Sequence, residues 1–319
     1  MSWLIWRQQR QQALFGSVTF ALVAALLVLT GLHMHTVFDD SGLGRCLAAG
    51  ARGDCGDVQS AFESRFATLR QLVPFFMVLP LLVGLFWGAP LVARDLEQGT
   101  HLFIWTQGVT RPRWLASRLA ALLTFALALA AGYALLISWW LGPLDRSTGD
   151  RFQPGTFDQQ GIVPVAYVVF AFALGVAAGA ILRKTLPAMA ATLVGFVALR
   201  LIVAGVLRRH FLAPVTKTYV PLPGVDVNHP GAWVYSQKTV DGAGHRVAEF
   251  TIGSVCPPTK VSTTATLDRC VRLHGFLNTD VFQPASRYWL FQGIETAIFG
   301  GLALVLLALA VWWTRERVA

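Results

Sequence analysis

Charge is what this 319-residue sequence has least of. Asp, Glu, Lys and Arg together make up 13% of it, against roughly 25% in soluble domains, so a fully solvated surface is excluded for much of the chain. No G-x-x-x-x-G-K-[ST] run occurs; without that phosphate-cradling loop the chain cannot drive itself with ATP. Neither H-E-x-x-H nor G-x-S-x-G is present, which weighs against a metalloprotease or serine hydrolase working in a membrane. Cysteine is limited to four residues with no C-x-x-C pair among them, so no metal site is expected.

What is abundant is apolar: hydrophobic residues reach 55% and gather into long runs. These are approximately Ala13–Leu32, Leu72–Ala93, Ala116–Leu141, Ile162–Leu182, Leu186–Leu207 and Tyr288–Trp313. Each is long enough to cross a hydrocarbon core of about 30 Å. The first follows Arg7 and Arg10 like a signal peptide, but a signal core runs only about 7–15 residues, so it reads as a retained span. Trp3, Leu4 and Trp6 ahead of it suggest either a short interfacial helix or an anchored tail. Pro74, Pro80, Pro90, Pro164 and Pro187 sit in or near the runs, and spanning helices absorb proline as kinks.

The expected fold is an all-α integral membrane protein of six transmembrane helices, with a small β-containing extracellular domain between helices 5 and 6. Residues 1–207 hold helices 1–5, 208–287 the extracellular domain, and 288–319 helix 6 and its tail. With both termini in the cytoplasm, the short inner segments carry Arg7, Arg10, Arg94, Arg111, Arg113, Arg118, Arg183, Lys184, Arg315 and Arg317. Against these stand only Asp95, Glu97 and Glu316, a density of basic residues that the positive-inside rule favours. All of the eleven tryptophans except Trp233 lie at or near run ends, as an aromatic belt requires. Cys46, Cys55, Cys256 and Cys270 all fall in the outer loops, where an oxidising exterior keeps disulfides. Four cysteines allow three pairings, and proximity favours Cys46–Cys55 and Cys256–Cys270. The outer segment 208–287 is too long for a plain connection, and Arg246–Ile252 alternates as a strand does.

Two ionisable residues lie inside runs, Arg200 and Glu295. Intramembrane charges are costly and face a cavity or a partner. Counted at about 1.5 Å per residue, both lie near the same membrane face, so a direct or water-bridged pair is expected, either lining a path or fixing helices 5 and 6 together. His33-x-His35 is a weak metal pattern because helix neighbours two apart diverge. Gly175-x-x-x-Gly179 permits close helix approach within one chain or between two.

The most specific segment joins helices 2 and 3. It reads Arg94-Asp95-Leu96-Glu97-Gln98-Gly99-Thr100 and continues through Phe103 and Trp105-Thr106-Gln107 to Arg111-Pro112-Arg113-Trp114. With Glu97-x-Gly99-Thr100 and Gln292-x-x-Glu295, the chain resembles the ABC-2 type transporter permease family, and its Trp-Thr-Gln-x-Val-Thr-Arg run is similar to an actinobacterial-like subgroup. The resemblance implies a type V exporter-like fold in a bacterial plasma membrane. It implies a coupling helix at about 94–115 that seats on an ATPase subunit, with Arg94, Glu97, Gly99, Thr100, Phe103, Trp105, Arg111 and Arg113 as its contact residues. It further implies two copies of a separate ATP-binding cassette subunit, which hold the ATP and Mg, and a second copy of this chain or a related permease. This chain would hold no cofactor, contact membrane lipid and bind no nucleic acid. The function implied is export of a hydrophobic or amphipathic substrate by alternating access; the alternative is a mechanotransmitting or sensing protein acting through its extracellular domain.

Overall fold

A computed structural model describes residues 2–48, 55–99, 111–220, 229, 231–247, 255–256 and 264–316. Among them six helices are long and apolar enough to cross a membrane: Ala13–Asp40, Gly56–Glu97, Ala116–Thr148, Val163–Leu182, Thr185–His210 and Ala285–Glu316, here spans 1 to 6. The described chain divides into two compact units. The first holds residues 1–148, 154–211 and 289–319; the second holds 149–153 and 212–288.

Span 4 is the pillar of the first unit. It packs against spans 2, 3 and 5, and 72% of its most apolar window is buried, against 6% for span 1 and 17% for span 5. Its small residues explain this. A Cβ on Gly175 would stand 2.4 Å from the Gly84 carbonyl oxygen and 2.6 Å from the Ala89 nitrogen, both backbone atoms of span 2. The Gly175-x-x-x-Gly179 stripe is therefore used inside the chain. Beside it Trp87, Leu122, Phe172 and Val176 form a buried core, with Trp87 stacked on Phe125 at 5.5 Å.

Span 2 is not one regular helix. It passes through a 3-10 turn at Val73–Met77 and a π turn at Gly84–Gly88, near Pro74, Pro80 and Pro90, whose rings remove backbone donors. Its lower-hydropathy forepart differs from the expected loop. Gly56–Leu72 is helical and buries Phe62 and Phe66, one helical turn apart, against Phe38 at the end of span 1. Cys46 and Cys55 are disulfide-bonded across the connection, with Cα atoms 5.9 Å apart. Trp3, Leu4 and Trp6, read as either a short interfacial helix or an anchored tail, instead belong to a continuous helix, Ser2–Asp40. The histidines of spans 1 are engaged separately: His33 Nε2 lies 3.2 Å from Arg65 Nη2, and His35 stacks on Trp139.

The second unit is a four-stranded antiparallel sheet in the order β1-β4-β2-β3, with β1 Val215–Tyr219, β2 Trp233–Val240, β3 Arg246–Val247 and β4 Leu277–Gln283. Val215 pairs with Phe282 and Trp233 with Gln283, and a bulge falls between Val234 and Ser236. The expected strand beyond Val247 lies outside the described residues. Helix Thr264–Leu273 carries Cys270, bonded to Cys256, and Val271 joins Cys256 and Phe276 in a small core.

Candidate functional site

Three consecutive polar side chains precede span 4: Asp158, Gln159 and Gln160, all buried. They follow a single helical turn, Pro154–Phe157, and end at Gly161, whose φ of +70° suits a residue without Cβ. A Cβ there would also meet Gln292 of span 6 at 2.7 Å. Gln292 Oε1 accepts from the Ile162 and Val163 backbone amides, each at 3.0 Å. Its Nε2 donates to the Phe157 carbonyl at 3.1 Å. The orphan donors that open a helix are thus capped by a side chain from span 6.

Beneath this cap lies a closed cluster of charges. Arg208 of span 5 grips Glu295 of span 6 with two parallel bonds, Nε to Oε2 at 2.8 Å and Nη2 to Oε1 at 2.7 Å, the fork geometry that makes guanidinium–carboxylate pairs strong. Arg208 Nη2 also donates to Asp158, and Arg200 Nη2 donates to the other Asp158 oxygen. The Tyr167 hydroxyl of span 4 donates to Glu295 and lies 3.3 Å from Asp158 Oδ1. Arg208, Glu295 and Tyr167 are fully buried. Two guanidiniums face two carboxylates, so the cluster is neutral as a whole. Its cations also lie over rings, Arg208 over Phe157 at 4.4 Å and Arg200 over Tyr167 at 5.0 Å, which adds cation–π attraction.

A local irregularity aims Arg208 at this cluster. Eight residues at about 100° each carry Arg208 some 80° past Arg200 round a regular helix. Val203–Leu207 forms a π turn in which the Arg208 amide donates to the Val203 carbonyl. Such a turn inserts about one residue, bringing the two cations to within roughly 20° of one face. The polar segment reaches further: the Tyr133 hydroxyl of span 3 donates to Gln159 Oε1 at 2.8 Å, and Gln160 Nε2 donates to Asp145 at 2.6 Å. Spans 3, 4, 5 and 6 therefore meet around residues 157–163. The arrangement offers charge and shape, and its one hydroxyl, that of Tyr167, is buried between the two carboxylates. Among the described residues no group of three His, Cys, Asp or Glu side chains could hold a metal ion.

Arg200 and Glu295, singled out from the sequence as a pair, belong to one cluster but are joined through Asp158, Arg208 and Tyr167 rather than to each other. Sequence reasoning missed Asp158 and Arg208, which it left in the outer loops. The available signal was the run Asp158-Gln159-Gln160 directly before an apolar span, and an arginine directly after one.

At the opposite end of span 4, two residues turn the chain into span 5. Arg183 adopts φ +56° while its amide donates to the Gly179 carbonyl. Lys184 provides no side-chain cap. Glu97 of span 2 supplies it: Oε2 accepts from the Thr185 amide at 2.9 Å and from its hydroxyl at 2.7 Å. Asp95 is paired with Arg118 of span 3. Spans 2, 3 and 5 are thus clamped together beside the 94–115 segment. Arg94 is exposed there and Gly99 takes φ +70°. Thr100, Phe103 and Trp105 lie outside the described residues; Arg111 and Arg113 fall on the first turn of the helix Arg111–Thr148, with their side chains outside the description.

The family described as ABC-2 membrane transporter related matches over residues 17–208, a stretch that contains the clamp, Asp158, Arg200 and Arg208. No curated protein and no solved structure matches.

Proposed function

Because the chain belongs to the ABC-2 membrane transporter related family, we propose that it is the membrane-spanning permease of an exporter powered by a separate ATP-binding subunit. The substrate is hydrophobic or amphipathic, and it crosses by alternating access. Two ATP-binding subunits hold ATP and Mg, and two permease halves, a second copy of this chain or a relative, enclose the path in a type V arrangement. Both termini face the cytoplasm of a bacterial cell, and the sheet-bearing unit lies outside.

The observation that carries this reading is the clamp at the foot of the bundle. Glu97 to Thr185 and Asp95 to Arg118 tie spans 2, 3 and 5 beside the 94–115 segment. A push delivered on Arg94, Thr100, Phe103, Trp105, Arg111 or Arg113 by an ATPase subunit then moves three spans as one body. Stiff elements joined by polar contacts are what transmit such a displacement.

The test is reconstitution in nanodiscs with an ATP-binding subunit encoded beside the gene. The expected result is a stable complex whose ATPase rate changes when Arg113→Glu is introduced. A folded permease that neither binds that subunit nor alters its ATPase rate sinks the reading. A second reading, sensing through the outer unit, is favoured by one observation: that unit has its own sheet and disulfide-linked core. ATPase activity that responds to removal of residues 212–288 but never to a transported compound supports it.

A further inference from the structure

Span 5 leaves regular α geometry twice in succession. Val203–Leu207 is a π turn and Arg208–His210 a 3-10 turn. The first is wound more loosely than an α-helix and the second more tightly, so their rotations largely cancel. Val203 is fully buried, and Phe211, just past the second turn, sets its ring 5.6 Å from that of Phe291 in span 6. Between these fixed points Arg208 is the one buried residue; Gly205, Val206, Leu207, Arg209 and His210 are exposed. A Cβ on Gly205 would meet nothing within 4 Å. The π turn of span 2, Gly84–Gly88, is the opposite case. A Cβ on Gly84 or Gly88 would stand 2.5 Å from a carbonyl oxygen of span 4. One loose turn is wedged, and the other is free to change its winding.

Rewinding the free turn as α-helix has a defined result. Seven steps of about 100° bring Leu207 to within roughly 20° of the face that Arg200 occupies, while Arg208 is carried some 80° round. Leu207 then stands against Asp158 and Glu295 where Arg208 stood. Arg208 is two residues short of His210, where span 5 ends, and its long stem reaches water from there. The grip that opposes this is incomplete. Arg208 Nη1 and Arg200 Nε are buried without a hydrogen-bond partner, and each unmet donor weakens the held arrangement. After release Asp158 keeps Arg200, and Glu295 keeps the Tyr167 hydroxyl.

We infer that the π turn of span 5 is a swivel with two registers. In the held register Arg208 sits in the charge cluster; in the released one Leu207 replaces it and Arg208 points to the membrane surface. The swivel rests on the permease reading for its use, since it names a moving part of the same bundle, whereas its geometry stands without that reading. Glu295 sets the balance between the registers. With its carboxylate present, release strands one negative charge away from water. Without it, release leaves Asp158 and Arg200 as a neutral pair, and the released register is the favoured one.

The test uses the full chain in nanodiscs. The native cysteines are all disulfide-bonded, so Leu207→Cys alone takes a trifluoroethyl tag. Fluorine NMR with dissolved oxygen, which concentrates in hydrocarbon, distinguishes a lipid-facing tag from a buried one. The tagged parent should give the lipid-facing signal. Adding Glu295→Gln should raise the share of the buried signal at least about tenfold. Deleting Gly205 removes the inserted residue and leaves Arg208 seven helical steps past Arg200, still on the cluster face. Folded yield should therefore be kept, and the deletion combined with Glu295→Gln should hold the tag in lipid. Should Glu295→Gln misfold, Arg208→Met asks the same question, because it too abolishes the grip and should bury the tag. Oxygen-induced shifts that are the same in the parent and in these variants overturn the swivel. So does a Gly205 deletion that fails to fold, or one that lets the tag become buried. These readouts need no ATP, so their failure with ATPase partnership intact rejects the swivel alone.

Discussion

Replacing Arg208 by methionine removes the one cation that both buried carboxylates share. Arg208 is fully buried and makes two bonds to Glu295 and one to Asp158. Without it Glu295 keeps the Tyr167 hydroxyl, and Asp158 keeps Arg200. One negative charge is then left uncompensated away from water. Breaking a buried pair on one side costs about 3–5 kcal/mol. Glu295→Gln also leaves one charge uncompensated, since Asp158 alone then faces both arginines; the amide oxygen still accepts from Arg208, so about 3 kcal/mol, the lower end of that range, is expected. The double variant Arg208→Met with Glu295→Met removes a neutral pair and leaves Asp158 with Arg200. It should recover most of the loss, since apolar replacement of a whole buried pair is often neutral. Heating detergent-solubilised protein and following the surviving monodisperse fraction reads this out, with a drop on the order of 10 °C for Arg208→Met. A drop under about 2 °C, or a double variant worse than either single one, refutes the account of the cluster as a balanced lock. Glu295→Gln then separates lock from path: lost transport at normal folded yield assigns the cluster to the transport route.

Glu97→Ala removes the borrowed cap of span 5 and should lower stability slightly, as loss of a helix cap does; its ATPase coupling should fall by more than its thermal stability explains, measured on the reconstituted complex. Gly175→Val forces a Cβ against two backbone atoms of span 2 that cannot rotate away. Overpacking of that kind costs about 1–3 kcal/mol or more, so membrane-inserted yield should collapse, while Gly293→Ala, with nothing within 4 Å, should be silent. Cys256→Ser opens a loop of 14 residues' separation; about 3 kcal/mol should be lost from the sheet-bearing unit, seen as faster proteolysis within 212–288 with the spans untouched.

The spans were legible because the bilayer leaves little choice. A run long enough to cross must be apolar and helical, and each of the six runs falls on one of the six long helices, with Ile162 alone one residue outside. Gly56–Leu72 escaped notice because Phe62 and Phe66 give it a helical face while Asp57, Glu63, Arg65 and Arg70 keep it too polar for lipid. Arg200 and Glu295 stood out because charge inside an apolar run is rare. Their partners did not, since Asp158 and Arg208 sit where runs stop and charge is ordinary. The π turn at Val203–Leu207 compounds this. Gly205 is its sole mark in the sequence, and regular periodicity turns Arg208 away from Arg200. A spacing argument that assumes one helical period cannot find a pair that depends on breaking it.

The same turn bears on how a displacement could travel. Span 5 is held by side chains at both ends, at Thr185 by Glu97 and at Arg200 and Arg208 by the charge cluster. The whole span, 26 residues, extends about 39 Å at 1.5 Å per residue. Yet only 17% of its most apolar window is buried, against 72% for neighbouring span 4. Little core packing resists its movement, so the polar contacts at its ends decide where it rests. Hydrocarbon contact is nearly indifferent to a helix sliding or rotating, whereas a bidentate arginine pair is not. In the permease reading, a push at the 94–115 segment reaches span 5 through the Glu97–Thr185 contact. It is resisted chiefly at Asp158 and Glu295, which makes the charge cluster the element whose two states transport would have to interconvert.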